Sequence, residues 1–552
     1  MRGRALLVGV MISAGTLFLL SLMVGGWVAY DHWLALPRFV LLSGGFLLAG
    51  AYGVGSKTEW KAVRLTTGCT WLAGGIGCFF LLTHDWRPSR TTDFQFLATV
   101  TAWLQQMQPA WGQAAWLALL RLHENAVAGA LIILLPIGAV QLYGQWQQRL
   151  KACGLTVIAL LPAIVALLFT FSRGAWLGLV VATVMTALAA MSGKWTGALW
   201  PWLYGTLLLG LAVTVFLITP ASLGRVAEWL VWCGIGGAAA SRLDLWQNAV
   251  TLVPDYWFTG SGLQSTAMVL SSYVYLLHVP YLAHGHNLYL QLTLEQGAPG
   301  LLAFTIGITG LLWASRQAIR QQPLVLGATV GLLALLGHGW FDAELYSSYL
   351  APLLFLPVAL LLSAIPMWPS SFTGTTAVGL LLPMFIILLL ASMAGLRGLA
   401  SANRAAVAQT RTELALYHWP AWPLQDAVRQ QLPAEFVTIT ELYRAALQEA
   451  PDNVTAHRRL GQILLSQQDL NNAKAHLEAA YRLAPTQRAT RQLLGEVYAL
   501  TGKTAAAEQI WRGLDLTQGQ LLLRVQWYAE AGKFKQSRQL TEVVQAMTKS
   551  ME

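Results

Sequence analysis

Long apolar runs, each of roughly the 20 residues a helix needs to cross a lipid bilayer, recur through the first 396 residues of this 552-residue chain. They fall near 5–28, 38–55, 65–83, 125–142, 154–171, 175–192, 198–218, 298–314, 323–339, 346–364 and 377–396. A bilayer offers no water to backbone N–H and C=O groups, so the expected form of each run is a helix that pairs its own backbone. Charge marks where this regime ends. Residues 1–396 carry 17 Lys and Arg and 11 Asp and Glu, whereas the following 156 residues carry 18 and 14. The chain is therefore expected to be all-α: a polytopic transmembrane bundle of about 11–12 spans, then a soluble part.

The first run follows Arg2 and Arg4 as a signal peptide would. Its length, the absence of a small-residue cleavage site and the span close behind it predict an uncleaved anchor. Residues 94–120 interleave Trp103, Trp111 and Trp116 with Gln105, Gln106, Gln108 and Gln113, which suits a re-entrant or interfacial segment. Lys and Arg collect in cytoplasmic loops. With the N-terminus inside, one set of loops holds Arg2, Arg4, Lys57, Lys61, Arg64, Arg149, Lys151, Lys194, Arg316 and Arg320, opposed only by Glu59. Segments 84–124, 172–174, 219–297 and 338–345 then face outward. Eleven spans put the C-terminal part outside too, against the vote of Arg397, Arg404 and Arg411.

The soluble part repeats itself at an offset of 34: Ala445-Ala446 with Ala479-Ala480, Ala450-Pro451 with Ala484-Pro485, Leu460-Gly461 with Leu494-Gly495, and Ala473 with Ala507. That period resembles the tetratricopeptide repeat, an α-solenoid of stacked helix pairs. Pairs are expected over 437–451, 454–484 and 488–517, with a degenerate closing pair at 519–547. The domains expected are 1–120, N-terminal helices and an outer-face segment; 121–396, a membrane core with its large outer loop 219–297; 397–436, a linker; and 437–552, the repeat.

The net charge of +10 comes without a Lys/Arg run of the kind nucleic-acid binders show. Cys69, Cys78, Cys153 and Cys233 are scattered through apolar stretches with no metal spacing. No P-loop, dinucleotide fingerprint or D-x-D pair occurs, so no cofactor or metal is expected. Chemistry is sought instead among polar residues beside the spans, where they are costly. Five clusters stand out, all on the expected outer face. FTFSRGAWLGL (Phe169–Leu179) sets Arg173 between two spans, where its guanidinium fork suits two phosphate oxygens, or simply snorkels. SRLDLWQNAVTLVPDYWFTGSGLQ (Ser241–Gln264) carries Arg242 at a polar helix start that a solvated helix end would also explain. AHGHNLYLQLTLEQGAPG (Ala283–Gly300) offers His284, His286 and Asn287; a histidine titrating near neutrality suits a general base, and Gln291 and Glu295 could orient it. HGWFDAEL (His338–Leu345) holds His338 and Asp342 one helical turn apart. RLHENAVAGALIILLP (Arg121–Pro136) holds Arg121, His123 and Asn125.

Taken in order, Asn125–Pro136, FSRGAWLGL, the Arg242…Trp246…Gly260-Ser-Gly262 loop, HGHNLYLQLTLEQGAPG and His338…Asp342 resemble the O-antigen ligase and polymerase family over about residues 120–365. The resemblance implies a GT-C type membrane glycosyltransferase at the outer face of the bacterial inner membrane. It implies transfer of a glycan from undecaprenyl pyrophosphate to an acceptor hydroxyl, on a lipid A-core or a protein, without metal or nucleotide. It assigns catalysis to His286, Arg173 and Arg242, with His284, Asn287, His338, Asp342 and Asn125 as substrate-binding residues. Membrane lipids and a protein on the repeat domain are the further partners expected. A Wzy-type polysaccharide polymerase shares this logic. A transporter, or a non-enzymatic scaffold presenting its repeat, are the alternatives from other classes.

Overall fold

The computed structural model describes residues 2–55, 59–86, 102–103, 105–106, 120–191, 238–277, 279–280, 282, 284–316, 318–365, 394–416, 425–514 and 518–551, with helices and no strand among them. The apolar part forms α1 (Arg2–Val28), α2 (His32–Gly55), α3 (Glu59–Thr83), α4 (Glu124–Gln147), α5 (Cys153–Phe169) and α6 (Arg173–Met191). After the amphipathic α7 (Ala238–Val250) come α8 (Leu288–Ser315), α9 (Pro323–His338) and α10 (Leu356–Ser363). Five of these helices are long and apolar enough to cross a membrane, and α5, α6, α9 and the Ala351–Ser363 stretch are shorter apolar helices. The run at 198–218 and most of 377–396, like nearly all of 94–120, lie outside the described residues.

Two runs depart from expectation. α8 extends ten residues ahead of the apolar run at 298–314, because Asn287 caps it through Oδ1, which accepts the Leu290 N–H at 2.9 Å. The run at 346–364 is interrupted. A 3-10 turn, Ala351–Phe355, precedes α10, and Pro352 and Pro357 each restart the helix from its first turn.

Small residues bring the helices together, as they must where no hydrophobic effect drives association within lipid. A β-carbon on Gly74 or Gly77 of α3 would meet the α5 backbone at Ala159 and Pro162, and one on Gly327 or Gly331 of α9 would meet the α4 backbone at Pro136 and Ile133. α4 is the innermost helix: every residue from Ala126 to Gly138 is buried. α6 closes on α9 through Gly178, against the Ala334 carbonyl.

α8 breaks in the middle. Gly297 takes φ +71° and ψ −179°, followed by Pro299, so the helical hydrogen-bond ladder stops there. The outer loop repairs it. The Leu294 carbonyl accepts from Ser261 N–H (2.7 Å) and Ser261 Oγ (2.8 Å), and Ala298 N–H donates to the Trp257 carbonyl (2.8 Å). Leu263 N–H reaches the Gly25 carbonyl of α1 at 2.9 Å. The approach demands glycine, because a β-carbon at Gly260 (φ +70°) would lie 2.3 Å from the Glu295 carbonyl.

The C-terminal part is a run of helix pairs. α11 (Ala394–Leu414) and α12 (Gln425–Gln431) lead to α13 (Pro433–Glu449), followed by α14 (Val454–Ser466) with α15 (Leu470–Leu483) and α16 (Arg488–Leu500) with α17 (Thr504–Trp511). α18 (Gln518–Glu530) and α19 (Phe534–Met551) close the series. The recurring glycines are packing sites: a β-carbon on Gly461 would strike Leu477, and one on Gly495 would strike Trp511. The stretch 397–436, expected as a linker, is largely helical. α11 packs on α13 and on the outer loop, because Ala402, Ala405 and Ala406 give it a small buried face.

Ion pairs fasten these helices to the outer loop. Asp255, fully buried, takes Arg458, Arg459 (Nη2–Oδ2 2.8 Å) and the Thr455 hydroxyl (2.7 Å). Tyr273 donates to Glu413 (2.9 Å), which Arg429 holds by two bonds of 2.7 and 2.9 Å. Arg524 bridges Asp426 (2.6 Å) and Glu496. Asn403 of α11 accepts the Phe258 N–H (2.9 Å), and Arg411 lies over Trp27 at the end of α1, 6.0 Å from the ring centre. The C-terminal helices thus sit on the same face as the outer loop.

Gly260→Ala should lower stability by about 3 kcal/mol, combining clash and backbone strain, read as a fall in Tm in detergent. Gly75→Ala, whose β-carbon meets nothing within 4 Å, should leave Tm unchanged. A second test uses pH. Burial pushes the Asp426 carboxyl up, but the charges of Arg524 and Arg429 and hydrogen bonds from Ser466 and Arg524 outweigh it and hold it at about 2, from 3.8. Its contribution is therefore complete above pH ~4 and is lost as the pH falls toward ~2. Asp426→Asn should cost about 2 kcal/mol at neutral pH and flatten the acid limb of the Tm–pH curve.

Candidate active site

Four helix ends converge on one face of the bundle. The starts of α4, α6 and α8 and the end of α9 bring together Asn125, Arg173, His286-Asn287 and His338. Three N-termini at one face favour an anion there. The α8 start is tied to α9: Leu288 N–H donates to the Gly339 carbonyl (2.7 Å), and Asn287 Nδ2 donates to the Trp340 carbonyl (3.1 Å).

The turn before α8 is held from both sides. Trp246 of α7 donates its indole N–H to the Gly285 carbonyl at 3.0 Å, and the Gly285 N–H donates to Gln291 Oε1 at 3.1 Å. Gln291 is fixed in turn by Thr266 (3.0 Å) and Glu295 (2.7 Å). Glu295 and Gln291 thus orient the turn rather than a histidine ring. His286 emerges with φ +47°, a conformation non-glycine residues adopt only when their surroundings impose it.

His286 Nδ1 faces Asp342 Oδ2 at 3.4 Å, and the same oxygen accepts from Asn125 Nδ2 at 2.8 Å. Asp342 Oδ1 accepts the Glu344 N–H at 2.7 Å. Burial raises the Asp342 carboxyl, but the His286 hydrogen bond and the nearby histidines outweigh it and hold it below the usual carboxylate range. An ionised Asp342 can accept a proton carried on His286 Nδ1, the tautomer that leaves the Nε2 lone pair free. That ring is partly open, its side chain 30% exposed.

His284 is different. Its Nδ1 accepts the His286 N–H at 3.2 Å, and its Nε2 is paired with Glu344. Both nitrogens are spent. The two rings meet edge to face, 4.1 Å between centres. Glu344, two residues beyond Asp342 in the HGWFDAEL motif, escaped the sequence reading, which had no signal for a pairing across 60 positions. Burial raises its carboxyl too, and the hydrogen bond from His284 brings it below the ordinary range.

His338 does not pair with the Asp342 side chain; Asp342 N–H donates to the His338 carbonyl (3.1 Å). Its ring is buried beside Gly174 and the Asn125 backbone. Arg242, half-buried on α7, lies within electrostatic range of His284 and His338. Arg173 is exposed at the start of α6, next to Gly174, which packs on Phe341. Neither arginine is paired with a carboxylate among the described residues, so both charges are available to an anion. No three His, Cys, Asp or Glu side chains among the described residues are grouped as metal ligands.

The stretch from α5 to the middle of α8, which holds Arg173, Arg242 and His286, matches a known family. Residues 155–305 match the O-antigen ligase family. That match, with five helices among the described residues long and apolar enough to cross a membrane, supports a multi-pass membrane glycosyltransferase of ligase or polymerase type. Asn125, His338, Asp342 and Glu344 lie outside the matched stretch but are folded against its His284–Asn287 turn. No curated protein and no solved structure matches the chain.

The ring geometry predicts the order of chemical modification. Diethyl pyrocarbonate should label His286 at least about tenfold faster than His284, whose nitrogens are both engaged. Peptide mass spectrometry of the 284–287 turn, with His284→Gln and His286→Gln proteins as site controls, reads this directly; equal rates would contradict the arrangement.

Proposed function

We propose that this site transfers a glycan from undecaprenyl pyrophosphate to an acceptor hydroxyl, of lipid A-core or of a protein, on the periplasmic side of the bacterial inner membrane. The observation that carries the reading is His286: Nδ1 turned to an ionised Asp342 that Asn125 steadies, and Nε2 left open to a substrate. The acceptor oxygen attacks the anomeric carbon as its proton passes to His286 Nε2. The bond from that carbon to the diphosphate breaks, its electron pair leaving with the lipid diphosphate. With no carboxylate in this reading to hold a glycosyl intermediate, the displacement is single and inverts the sugar carbon.

Arg173 and Arg242 take the charge that grows on the leaving diphosphate, and the N-termini of α4, α6 and α8 reinforce them. His284 is assigned to orientation, since its lone pair is used on the His286 backbone. Asn287 and His338 shape the floor against which the substrate lies. Metal plays no part in this scheme. The helices of 437–552 are read as tetratricopeptide-like, with a protein partner or the acceptor brought to the same face.

Incubating purified protein with a lipid-linked oligosaccharide and separate acceptors tests the reading by which acceptor gains the glycan mass. His286→Ala, Arg173→Ala and Arg242→Ala should each lower the rate by at least about 10²-fold with the protein still in the membrane. Arg→Lys should restore only part of it, because a point charge does not replace the fork, and chelator should change nothing. Full activity in His286→Ala would remove the base.

A further inference from the structure

The C-terminal helices do more than share a face with the site. α14, α16 and α18 turn one row of polar side chains, Arg458 and Gln462, Gln492 and Glu496, and Arg524, toward outer-loop residues 273–277. Leu276 lies in the shallow cleft between them. Asp255 is the anchor, fully buried on the 3-10 turn Val253–Tyr256 between Arg458 and Arg459, while the Arg459 guanidinium stacks 3.4 Å from the Tyr273 ring centre.

What this anchor holds is informative. Three residues before the turn, α7 ends; it carries Arg242 and, through Trp246, the carbonyl of Gly285. Just after the turn comes the Phe258–Gly262 stretch that repairs the break in α8. Every covalent path from Asp255 therefore leads within a few residues to a wall of the site. A fully buried carboxylate shared by two arginines is poorly explained as a stability device, since desolvating three charges largely cancels their attraction. It does fix one geometry.

We infer that the C-terminal domain is a positioning part of the transfer site: Arg458 and Arg459, acting through Asp255, hold the Arg242 helix over the His286–Asp342 pair. The inference rests on the transfer reading for its kinetic consequence but not for its structural one. A grip on the donor diphosphate that depends on Arg242 needs α7 in place, so loosening Asp255 raises the donor KM and leaves the acceptor KM unchanged.

The test uses full-length protein in detergent with two readouts. In Arg458→Ala/Arg459→Ala, hydrogen exchange should rise at least about tenfold over 242–250 and 284–287 while α15 and α17 stay protected, and the donor KM should rise by a similar factor. Arg458→Lys and Arg459→Lys, which keep the charge, should show smaller changes in the same peptides; they decide the matter if the double variant loses protection throughout its C-terminal helices. Unchanged exchange at 242–250 and 284–287 in the folded variants overturns the inference. If even the wild type transfers nothing from any lipid-linked donor, the functional reading fails, and the exchange pattern still decides the positioning role.

Discussion

A helix that stops and restarts inside a packed core must have its freed backbone groups met by something other than water. The break at Gly297 sets that requirement, and loop 257–263 meets it from outside the bundle. The site depends on this one repair. The first half of α8, held by the loop, carries the His284–Asn287 turn at its tip and Gln291 and Glu295 along its buried side. The same loop reaches Gly25 of α1, so the first helix of the bundle and the His284–Asn287 turn share a support.

Electrostatics adds a second support at a different depth. Asp255, Glu413, Asp426 and Glu496 are matched by Arg429, Arg458, Arg459 and Arg524, four charges of each sign with little solvent access. The balance matters because any member left alone would be a buried, uncompensated charge. Around the histidines the arrangement is the reverse. Among the described residues Arg173 and Arg242 have no carboxylate partner, and the carboxylates beside the histidines, Asp342 and Glu344, are turned to imidazoles. One set of charges is closed on itself and the other is left open to a ligand.

Much of this was legible in the residues. Apolar run length located the five helices among the described residues that are long enough to cross a bilayer, and Leu460-Gly461 and Leu494-Gly495, 34 residues apart, prove to be close-packing points between helices. The histidines and arginines that the fold brings together stood out because polar side chains beside apolar runs are expensive. Three features were not. The apolar run begins only at 298 because Gln291, Glu295 and Gln296 interrupt the hydropathy; Gln291 and Glu295 are buried on Thr266 of the outer loop and Gln296 on Ser21 and Tyr346, partners that hydropathy does not reveal. The stretch 397–436 read as a linker because α11 hides its small face against elements far away in sequence. Glu344 and the Asp255–Arg458 pair join distant positions, and periodicity carries no information about such pairs.

The Asp255–Arg458 contact spans 203 positions, and this has a consequence for how the protein is made. Synthesis runs from the N-terminus, so the outer loop exists long before the residues that clamp it. During that interval Asp255 lacks both of its arginines, and the loop is held to α8 only by its own hydrogen bonds. The membrane helices can insert and pack one by one, but the last step of assembly waits for α14. The pair can close only once residue 458 has been made, so the clamp on the outer loop is among the last contacts of the fold to form.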